Sequence, residues 1–319
     1  AGQGQLTNLA GHHGWHAAIN GLFGFMHKLK VDDSVIPRAV YTHLHGLPVR
    51  ILRSMNPHFA PGFTLPKRTL QSAIGLALAL AIAGSWLGIH AYGMFVFYLT
   101  WSNWPVALAM AAVQCWLSVG VFIVCHDAMH GTLVPGQPRI NGAIGAVLLA
   151  LYAGFAWKQL RDAHFDHHKL AGRPGDPDFD EHNPGHFLRW YGTFFRRYFG
   201  WPSLLFVHTV VGIYWLVLDI PMVQIVLLYG LPALGSSLQL FYFGTFRPHR
   251  HAPVEDATDF ADRHNTRSED FGTLASLASC FHFGYHLEHH RRPDVPWWAL
   301  PRARRAGVGR VELIEKVPA

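Results

Sequence analysis

The chain has 319 residues, of which 50% are hydrophobic and 14% are charged, and its formal net charge is +6. This length and composition indicate one large domain that is too apolar for an ordinary soluble protein, so we expect an integral membrane protein. In so apolar a chain the excess Lys and Arg are expected to face anionic lipid headgroups. We therefore predict a lipid bilayer, and no nucleic acid, among its partners.

Residues 1–68 are predicted to be an N-terminal extension of unknown role. They contain four prolines between positions 37 and 61 and no apolar run of membrane-spanning length. They also lack the continuous apolar core of a signal peptide. The membrane domain is predicted to occupy residues 69–305, and residues 306–319 form a C-terminal tail.

Two predicted hairpins give four membrane-spanning helices. Residues 70–90 and 104–125 are each about twenty residues long and almost uncharged, which is the length that crosses a bilayer as a helix. Residues 202–245 are about twice as long, and Asp219 and Pro221 mark a turn near the middle. Between the hairpins, residues 141–157 are apolar but short and interrupted by glycine. A re-entrant or interfacial helix is expected there.

The basic residues predict the orientation of these helices. The two outer turns, residues 91–103 and 218–222, contain no Lys or Arg, whereas the loop between the hairpins and the segments flanking them are rich in both. By the positive-inside rule, both termini and the central loop are expected to be cytoplasmic.

Histidine is enriched, with 23 residues, and three dense clusters lie on this predicted cytoplasmic side. A single His-x-x-x-His pair is more often solvated or packed than metal-binding. Two copies of His-x-x-His-His beside it favour one shared site, because residues three or four apart share a face of a helix. Eight imidazoles are too many for one ion and suit two ions of Fe, Zn, Cu or Ni. The clusters are His126-Asp-Ala-Met-His130, His164-Phe-Asp-His167-His168 and His286-Leu-Glu-His289-His290.

The first cluster directly follows a predicted span, so the metals are expected just below the membrane surface. An oxidising centre placed there can act on a substrate that stays in the bilayer, in surroundings that exclude water. The three cysteines form no Cys-x-x-Cys pair and predict neither disulfides nor a thiolate site; they are Cys115, Cys125 and Cys280.

The order and spacing of the clusters resemble the membrane fatty-acid desaturase and hydroxylase superfamily, whose members hold two irons with eight or nine histidines and use O2. Within it, six strings between about residues 70 and 305 resemble the bacterial β-carotene ketolases. They are Phe-Ile-Val-Cys-His-Asp-Ala-Met-His-Gly (122–131), Gly-Asp-Pro-Asp-Phe (175–179), Phe-Gly-Thr-Phe-Arg-Pro-His-Arg (243–250), Asp-Arg-His-Asn-Thr-Arg-Ser (262–268), Cys-Phe-His-Phe-Gly (280–284) and Pro-Trp-Trp (296–298).

The resemblance implies an all-α membrane protein of a bacterial inner membrane, with a cytoplasmic helical cap that holds a di-iron centre. It implies a β-carotene 4-ketolase that hydroxylates the ring carbon C4 twice with O2, after which loss of water leaves a ketone. The products would be echinenone and canthaxanthin, or astaxanthin if zeaxanthin is accepted. Electrons would come from ferredoxin and its reductase, because the chain has neither a Gly-x-Gly-x-x-Gly motif nor cysteines for an iron–sulfur cluster.

The resemblance also suggests an additional ligand between the last span and the third cluster. His249 is the predicted ligand, with His251 and His264 as alternatives. Three carboxylates inside the clusters are candidates to accept hydrogen bonds from the ligand imidazoles, unless they are simply solvated. These are Asp127, Asp166 and Glu288.

Other polar residues are expected to be structural. Asp176 and Asp178 are predicted to cap a helix or to pair with Arg161 or Arg173, His282 is predicted to pack, and His208 to hydrogen-bond within the helix bundle. Aromatic residues that could line a channel for the polyene, or else lie at the membrane interface, are Phe155, Trp157, Tyr242, Phe243, Trp297 and Trp298.

Two other functions compete with this interpretation. The clusters fix the metal chemistry and not the substrate, so a fatty-acid desaturase, an alkane hydroxylase or a carotenoid hydroxylase is the nearer alternative. A histidine-rich metal transporter is the second, but a transporter is expected to carry His, Asp or Glu within its spans.

Overall fold

The computed structural model describes residues 63–251, 260 and 264–309. Residues 1–62 of the predicted extension and residues 310–319 of the predicted tail lie outside the described part. In the described ranges every regular element is a helix. The all-α prediction is therefore confirmed for this part of the chain.

The first hairpin consists of α1, Arg68–Phe95, and α2, Trp104–His130. The two helices are joined by buried polar contacts, among them a 3.0 Å hydrogen bond from Trp86 Nε1 to Ser118 Oγ. Gly131, with φ of 72°, ends α2 in the left-handed conformation that glycine adopts without strain. Because α2 continues five residues beyond the predicted span, the first histidine cluster lies on its last turns.

A sharp corner follows between α3, Pro138–Ala153, and α4, Trp157–Leu170, whose axes differ by 103°. α3 is apolar, 16 residues long and contains most of the predicted interfacial segment. α4 is polar and carries the second histidine cluster. The corner thus joins an apolar helix to the polar helix that carries the second histidine cluster.

The next bent pair is α5, Phe187–Tyr198, and α6, Trp201–Val217, with 83° between their axes. α7, Met222–His249, is one helix of 28 residues that contains two π-helical turns. The break between α6 and α7 lies at Asp219, which has a positive φ of 53°, and at Pro221. The turn predicted at these two residues is confirmed.

Three short helices complete the described chain: α8, Thr273–Cys280, α9, His286–Arg291, and α10, Leu300–Arg305. All six residues of α9 are buried. Phe281, between α8 and α9, stacks on Trp116 of α2 with ring centroids 4.4 Å apart. This packing holds the segment before the third histidine cluster against α2 of the first hairpin.

In the described part, α1, α2 and α7 are each long and apolar enough to cross a membrane, and each bent pair adds one more span if it is counted as one. α6 by itself has 12 α-helical residues and a π-helical turn of five. The molecule is therefore all-helical with three to five candidate spans. Its three cysteines are free thiols, two of them buried.

Candidate metal centre

The nine histidines predicted as ligands lie together in two groups. Within each group, ligand nitrogen atoms lie within 4.8 Å of one another. The members of the second group are all buried, and those of the first are buried or half-buried. The first group is His126, His130, His164, His168 and His289, and the second is His167, His249, His286 and His290.

Helical spacing explains how each cluster divides. His164 and His168 are four apart on α4 and join the first group, whereas His167 between them joins the second. In α9 the pair four apart, His286 and His290, joins the second group, and His289 joins the first. Each His-x-x-His-His cluster thus presents a pair of rings to one group and a single ring to the other.

Ring nitrogens in both groups face one another at short range. Nε2 atoms are 2.6 Å apart between His130 and His164 and 3.0 Å apart between His168 and His289. In the second group, His286 Nε2 lies 3.0 Å from His249 Nε2 and 3.1 Å from His290 Nε2. Nitrogens bound at right angles to one ion, at about 2.1 Å from it, would lie roughly 3 Å apart, so both donor sets fit a metal ion.

Hydrogen bonds on the far side of two rings fix their orientation. His167 Nδ1–H donates to the Asp176 carboxylate at 3.0 Å, and His249 Nδ1–H donates to the Asn265 carbonyl at 2.8 Å. Each ring then turns an unprotonated Nε2 toward its group, as a metal ligand requires. Backbone N–H groups of Gly172 and Asp178 donate to Asp176 at 2.8 and 2.9 Å.

Burial and hydrogen bonding favour neutral histidines in α9 and an ionised Asp176. Burial lowers the pKa of the α9 histidines His286, His289 and His290 well below the ordinary value, and neighbouring histidines lower it further. Burial would also lower the pKa of His167, but the carboxylates of Asp176 and Asp178 raise it above its usual value. Burial alone would raise the pKa of Asp176, but His167 and the two backbone N–H groups hold it below its usual value. The α9 imidazoles are therefore neutral, and Asp176 is an anionic acceptor.

The carboxylates inside the clusters have other partners. Asp127 accepts from the Trp297 backbone N–H at 3.2 Å, Asp166 pairs with Lys169 at the surface, and Glu288 accepts from Ser268 and Arg304. Asp176, for which the sequence predicted a structural role, is the carboxylate bonded to a candidate ligand. The sequence could not rank these acids, because Asp176 reaches His167 through a loop that turns back on α4.

Neighbouring histidines lie outside the two groups. His251 Nε2–H donates to the Gly172 carbonyl at 3.0 Å, and the His264 ring centroid lies 6.0 Å from that of His290. His282 stacks on Tyr285 and Trp297, in line with its predicted packing role. His208 donates to the Leu204 carbonyl of its own helix, so its hydrogen bond is local and not the one predicted to the bundle.

A cavity of about 280 Å³ adjoins both groups. Its wall is mostly aromatic and aliphatic, and His126, His164, His167 and His286 lie at one end of the lining. It extends along α7 from Thr245 to Tyr229, which is about 24 Å at the rise of a helix. An elongated apolar molecule fits such a wall with one end at the histidines.

Of the six aromatic residues predicted to line a channel, Phe155 lines this cavity. The other five pack elsewhere. Trp157 lies over Gly145, Tyr242 contacts Phe187, Phe243 contacts Phe271, Trp297 contacts Phe281, and Trp298 packs in the core.

Most of the aromatic wall was not predicted from the sequence, although helical spacing gave a signal. Phe122 lies four residues before His126 on α2, and Thr245 four before His249 on α7, and both line the cavity. Counting back from ligand residues by one helical turn would have found them. The remaining aromatic lining residues are Tyr152, Phe194, Phe195, Tyr198, Phe199, Tyr229 and Phe283.

Comparisons with known proteins agree with this geometry. The fatty acid desaturase family matches residues 99–218 and 196–311. A beta-carotene ketolase of Paracoccus sp. (strain PC1) is 45% identical over 243 residues, which are 76% of this chain and 97% of the relative. A beta-carotene 4-ketolase 3 of Haematococcus lacustris is 32% identical over 263 residues, which are 75% of this chain and 81% of the relative.

A third relative carries a different substrate in its name. The zeaxanthin 4-ketolase of Chlamydomonas reinhardtii is 32% identical over 263 residues, which are 76% of this chain and 58% of the relative. The identity and coverage of these matches, together with the family match, show that the chain belongs to the β-carotene ketolases of the fatty acid desaturase family.

Proposed function

We propose that the protein is a β-carotene 4-ketolase, which converts the C4 methylene of the β-ionone ring to a ketone. One observation carries this proposal: two groups of converging imidazoles form one end of an apolar cavity inside a helical, membrane-type bundle. The relatives named as ketolases support the same activity.

The first group would hold one iron and the second group the other. When bound, two irons supply the activation of O2, which no side chain can perform alone. Asp176 and the Asn265 carbonyl keep the rings of His167 and His249 in the orientation that offers Nε2. The apolar wall excludes water, which limits side reactions of an oxidising centre.

The substrate is proposed to lie with one ring at the histidines and its polyene along α7. Two hydroxylations of the same carbon turn the methylene into an alcohol and then into a geminal diol. Loss of one water from the diol leaves the ketone. Echinenone and then canthaxanthin would be formed from β-carotene.

We infer that α1, α2, α6 and α7 cross the membrane as two hairpins, with the metal centre on the cytoplasmic side. The basic residues between the hairpins support this orientation, and the exposed aromatics Tyr98 and Trp101 support a membrane interface at the first outer turn. The membrane domain would comprise residues 69–305 in a bacterial inner membrane. Reduced ferredoxin, regenerated by its reductase, is the proposed electron donor.

Expression in a bacterial host that makes β-carotene tests the proposal. We expect echinenone and canthaxanthin among the extracted pigments, separated by chromatography and identified by their spectra and masses. Hydroxylated carotenoids without ketones would instead indicate a carotenoid hydroxylase. Unchanged pigments with altered fatty acids would indicate a desaturase, and loosely bound zinc in the purified protein would indicate a metal transporter.

A further inference from the structure

Asp178 contributes a carboxylate to the otherwise mostly apolar wall of the cavity. It belongs to the loop between α4 and α5, and its Oδ2 lies 3.8 Å from Nδ1 of His167 in the second group. The carboxylate therefore lies at the histidine end of the cavity, beside the Nδ1 edge of His167. The sequence analysis gave it only a structural role.

The backbone around Asp178 is held firmly. The Asp178 N–H donates to Asp176 at 2.9 Å, and the Trp190 indole N–H donates to the Asp178 carbonyl at 2.7 Å. Arg197 donates to the carbonyls of both neighbours, Pro177 and Phe179. The carboxylate is thus positioned before any ligand arrives.

One oxygen of this carboxylate has a protein donor and the other does not. The Tyr198 hydroxyl donates to Oδ1. Oδ2 is too far from His167 for a hydrogen bond, and the Nδ1 proton of that ring is already donated to Asp176. Within the described residues, Oδ2 accepts no hydrogen bond from the protein.

A carboxylate oxygen that is mostly buried loses stabilisation when it accepts no hydrogen bond. The Asp178 side chain is 15% exposed, and Asp178 is part of the cavity lining. A ligand in the cavity is therefore the natural source of the missing donor. Hydrocarbon rings offer no donor, whereas a ring hydroxyl does.

We propose that Asp178, positioned by Tyr198, accepts a hydrogen bond from a hydroxyl on the ring that is being oxidised. The hydroxyl that affects substrate choice would be the one on C3, next to the oxidised carbon C4, because the C4 hydroxyl of the proposed reaction forms on either substrate. The protein would then take carotenoids with 3-hydroxylated rings, such as zeaxanthin, in preference to β-carotene. This inference rests on the proposed ketolase function and names the determinant of its substrate choice.

A competition experiment tests the inference. Membranes of a host that accumulates both β-carotene and zeaxanthin would be sampled at early times, and the ketone formed from each would be measured relative to its substrate. This ratio reports relative kcat/KM and cancels differences in expression, iron loading and electron supply. We expect the wild type to favour zeaxanthin by about 10-fold, since a hydrogen bond is gained with the 3-hydroxyl and none with the unsubstituted ring.

Variants separate recognition from a structural role. Asp178→Ala should lower the preference by about 10-fold. Asp178→Asn should lower it less because the amide oxygen still accepts, and Tyr198→Phe should also lower it because the carboxylate is no longer positioned. Thr193→Val is the matched control: its hydroxyl donates to the Asp180 carboxylate at 2.9 Å, neither residue lines the cavity, and the ratio should stay at the wild-type value.

A preference that stays the same in Asp178→Ala would overturn the inference, even if both activities fell together. If that variant makes no ketone from either substrate, the ratios of Asp178→Asn and Tyr198→Phe decide, and wild-type values in both would refute recognition. A wild-type protein that makes no ketone from either carotenoid would refute the proposed function itself. Ketone formation without preference would refute only the role of Asp178.

Discussion

At the scale of single residues, His167 and His289 each join the group opposite to the paired rings of their own cluster. Residue types and their spacing along the chain predict which imidazole rings can point in one direction, because residues four apart share a helix face. They do not predict which rings from other helices complete each group, because that depends on how α4 and α9 meet in space. Nor do they predict Asp176, whose contact with His167 is made by a loop.

Replacing Asp176 tests its orienting role. In Asp176→Ala, His167 loses the acceptor of its Nδ1–H, so its ring is free to rotate or change tautomer. Loss of such a partner typically costs about 10- to 100-fold in metal affinity. We expect iron to be removed from the purified variant by a correspondingly weaker chelator, as measured by metal analysis after dialysis.

Asp166→Ala serves as the control for this variant. Asp166 lies on the same helix as His167 but pairs with Lys169, and both side chains are more than half exposed. Its removal should leave iron retention unchanged, since surface pairs contribute little. Equal iron retention in Asp176→Ala and the wild type would contradict the role given to Asp176.

Removing one ligand from each group tests the division into two sites. His130→Ala removes a ring from the first group and His290→Ala one from the second. Each variant should lose ketone formation and hold about one iron per chain instead of two, because the untouched group remains complete. His208→Ala, whose ring bonds to Leu204 of its own helix, is the control and should keep both irons and activity.

Metal analysis and pigment extraction would be performed on the same membrane preparations. Membrane content of each variant, measured by immunoblot, shows that the chain is still inserted. Full activity in both His130→Ala and His290→Ala would be incompatible with the proposed ligand sets.

At the scale of elements, helix existence was more predictable than the corners between helices. Long uncharged runs predicted α1, α2 and α7, and Asp219 with Pro221 predicted the turn before α7. The corner between α3 and α4 was not predicted, because it depends on Trp157 fitting against Gly145. The same contact explains why Trp157 lies outside the cavity despite its place beside the second cluster.

A larger residue at position 145 should disturb this corner. A Cβ there would lie 1.9 Å from the Trp157 ring, so the ring and the start of α4 must move. Overpacking of this kind costs about 1–3 kcal/mol. We expect Gly145→Ala to lower the thermal stability of the detergent-solubilised protein, and Gly145→Ala with Trp157→Leu to recover part of the loss.

Gly84→Ala on α1 is the matched control, because a Cβ at that position meets nothing within 4 Å. It should leave the melting temperature unchanged or slightly higher, since alanine favours a helix more than glycine does. A Gly145→Ala variant as stable as Gly84→Ala would mean that Trp157 does not fix the corner.

At the scale of the whole molecule, composition predicted a membrane protein and the structure bears this out with three to five candidate spans. The number of membrane crossings was less predictable from the sequence. α3 and α6 are close to the minimum length of a membrane-spanning helix, so length alone does not decide whether each of them crosses the bilayer or only enters it. Orientation rests on the distribution of basic residues, which is a property of the entire chain.

Cysteine labelling in intact cells tests this orientation. Ser102 is exposed in the turn between α1 and α2, and Glu181 is exposed in the loop between α4 and α5. If the metal centre is cytoplasmic, Ser102→Cys should react with a membrane-impermeant maleimide added to intact spheroplasts. Glu181→Cys should react only after the membrane is opened, because the first loop would face outward and the second inward.

The native thiols set the background for this measurement. Cys125 and Cys280 are buried and Cys115 is half-buried between helices, so the unmodified protein should label weakly under either condition. Positions 102 and 181 are both exposed and are proposed to lie on opposite sides of the membrane. If Glu181→Cys reacted in intact spheroplasts and Ser102→Cys reacted only after the membrane was opened, the histidines would lie on the outer face. A cytoplasmic ferredoxin could not reduce a metal centre on the outer face, so the electron donor would then have to be sought outside the inner membrane.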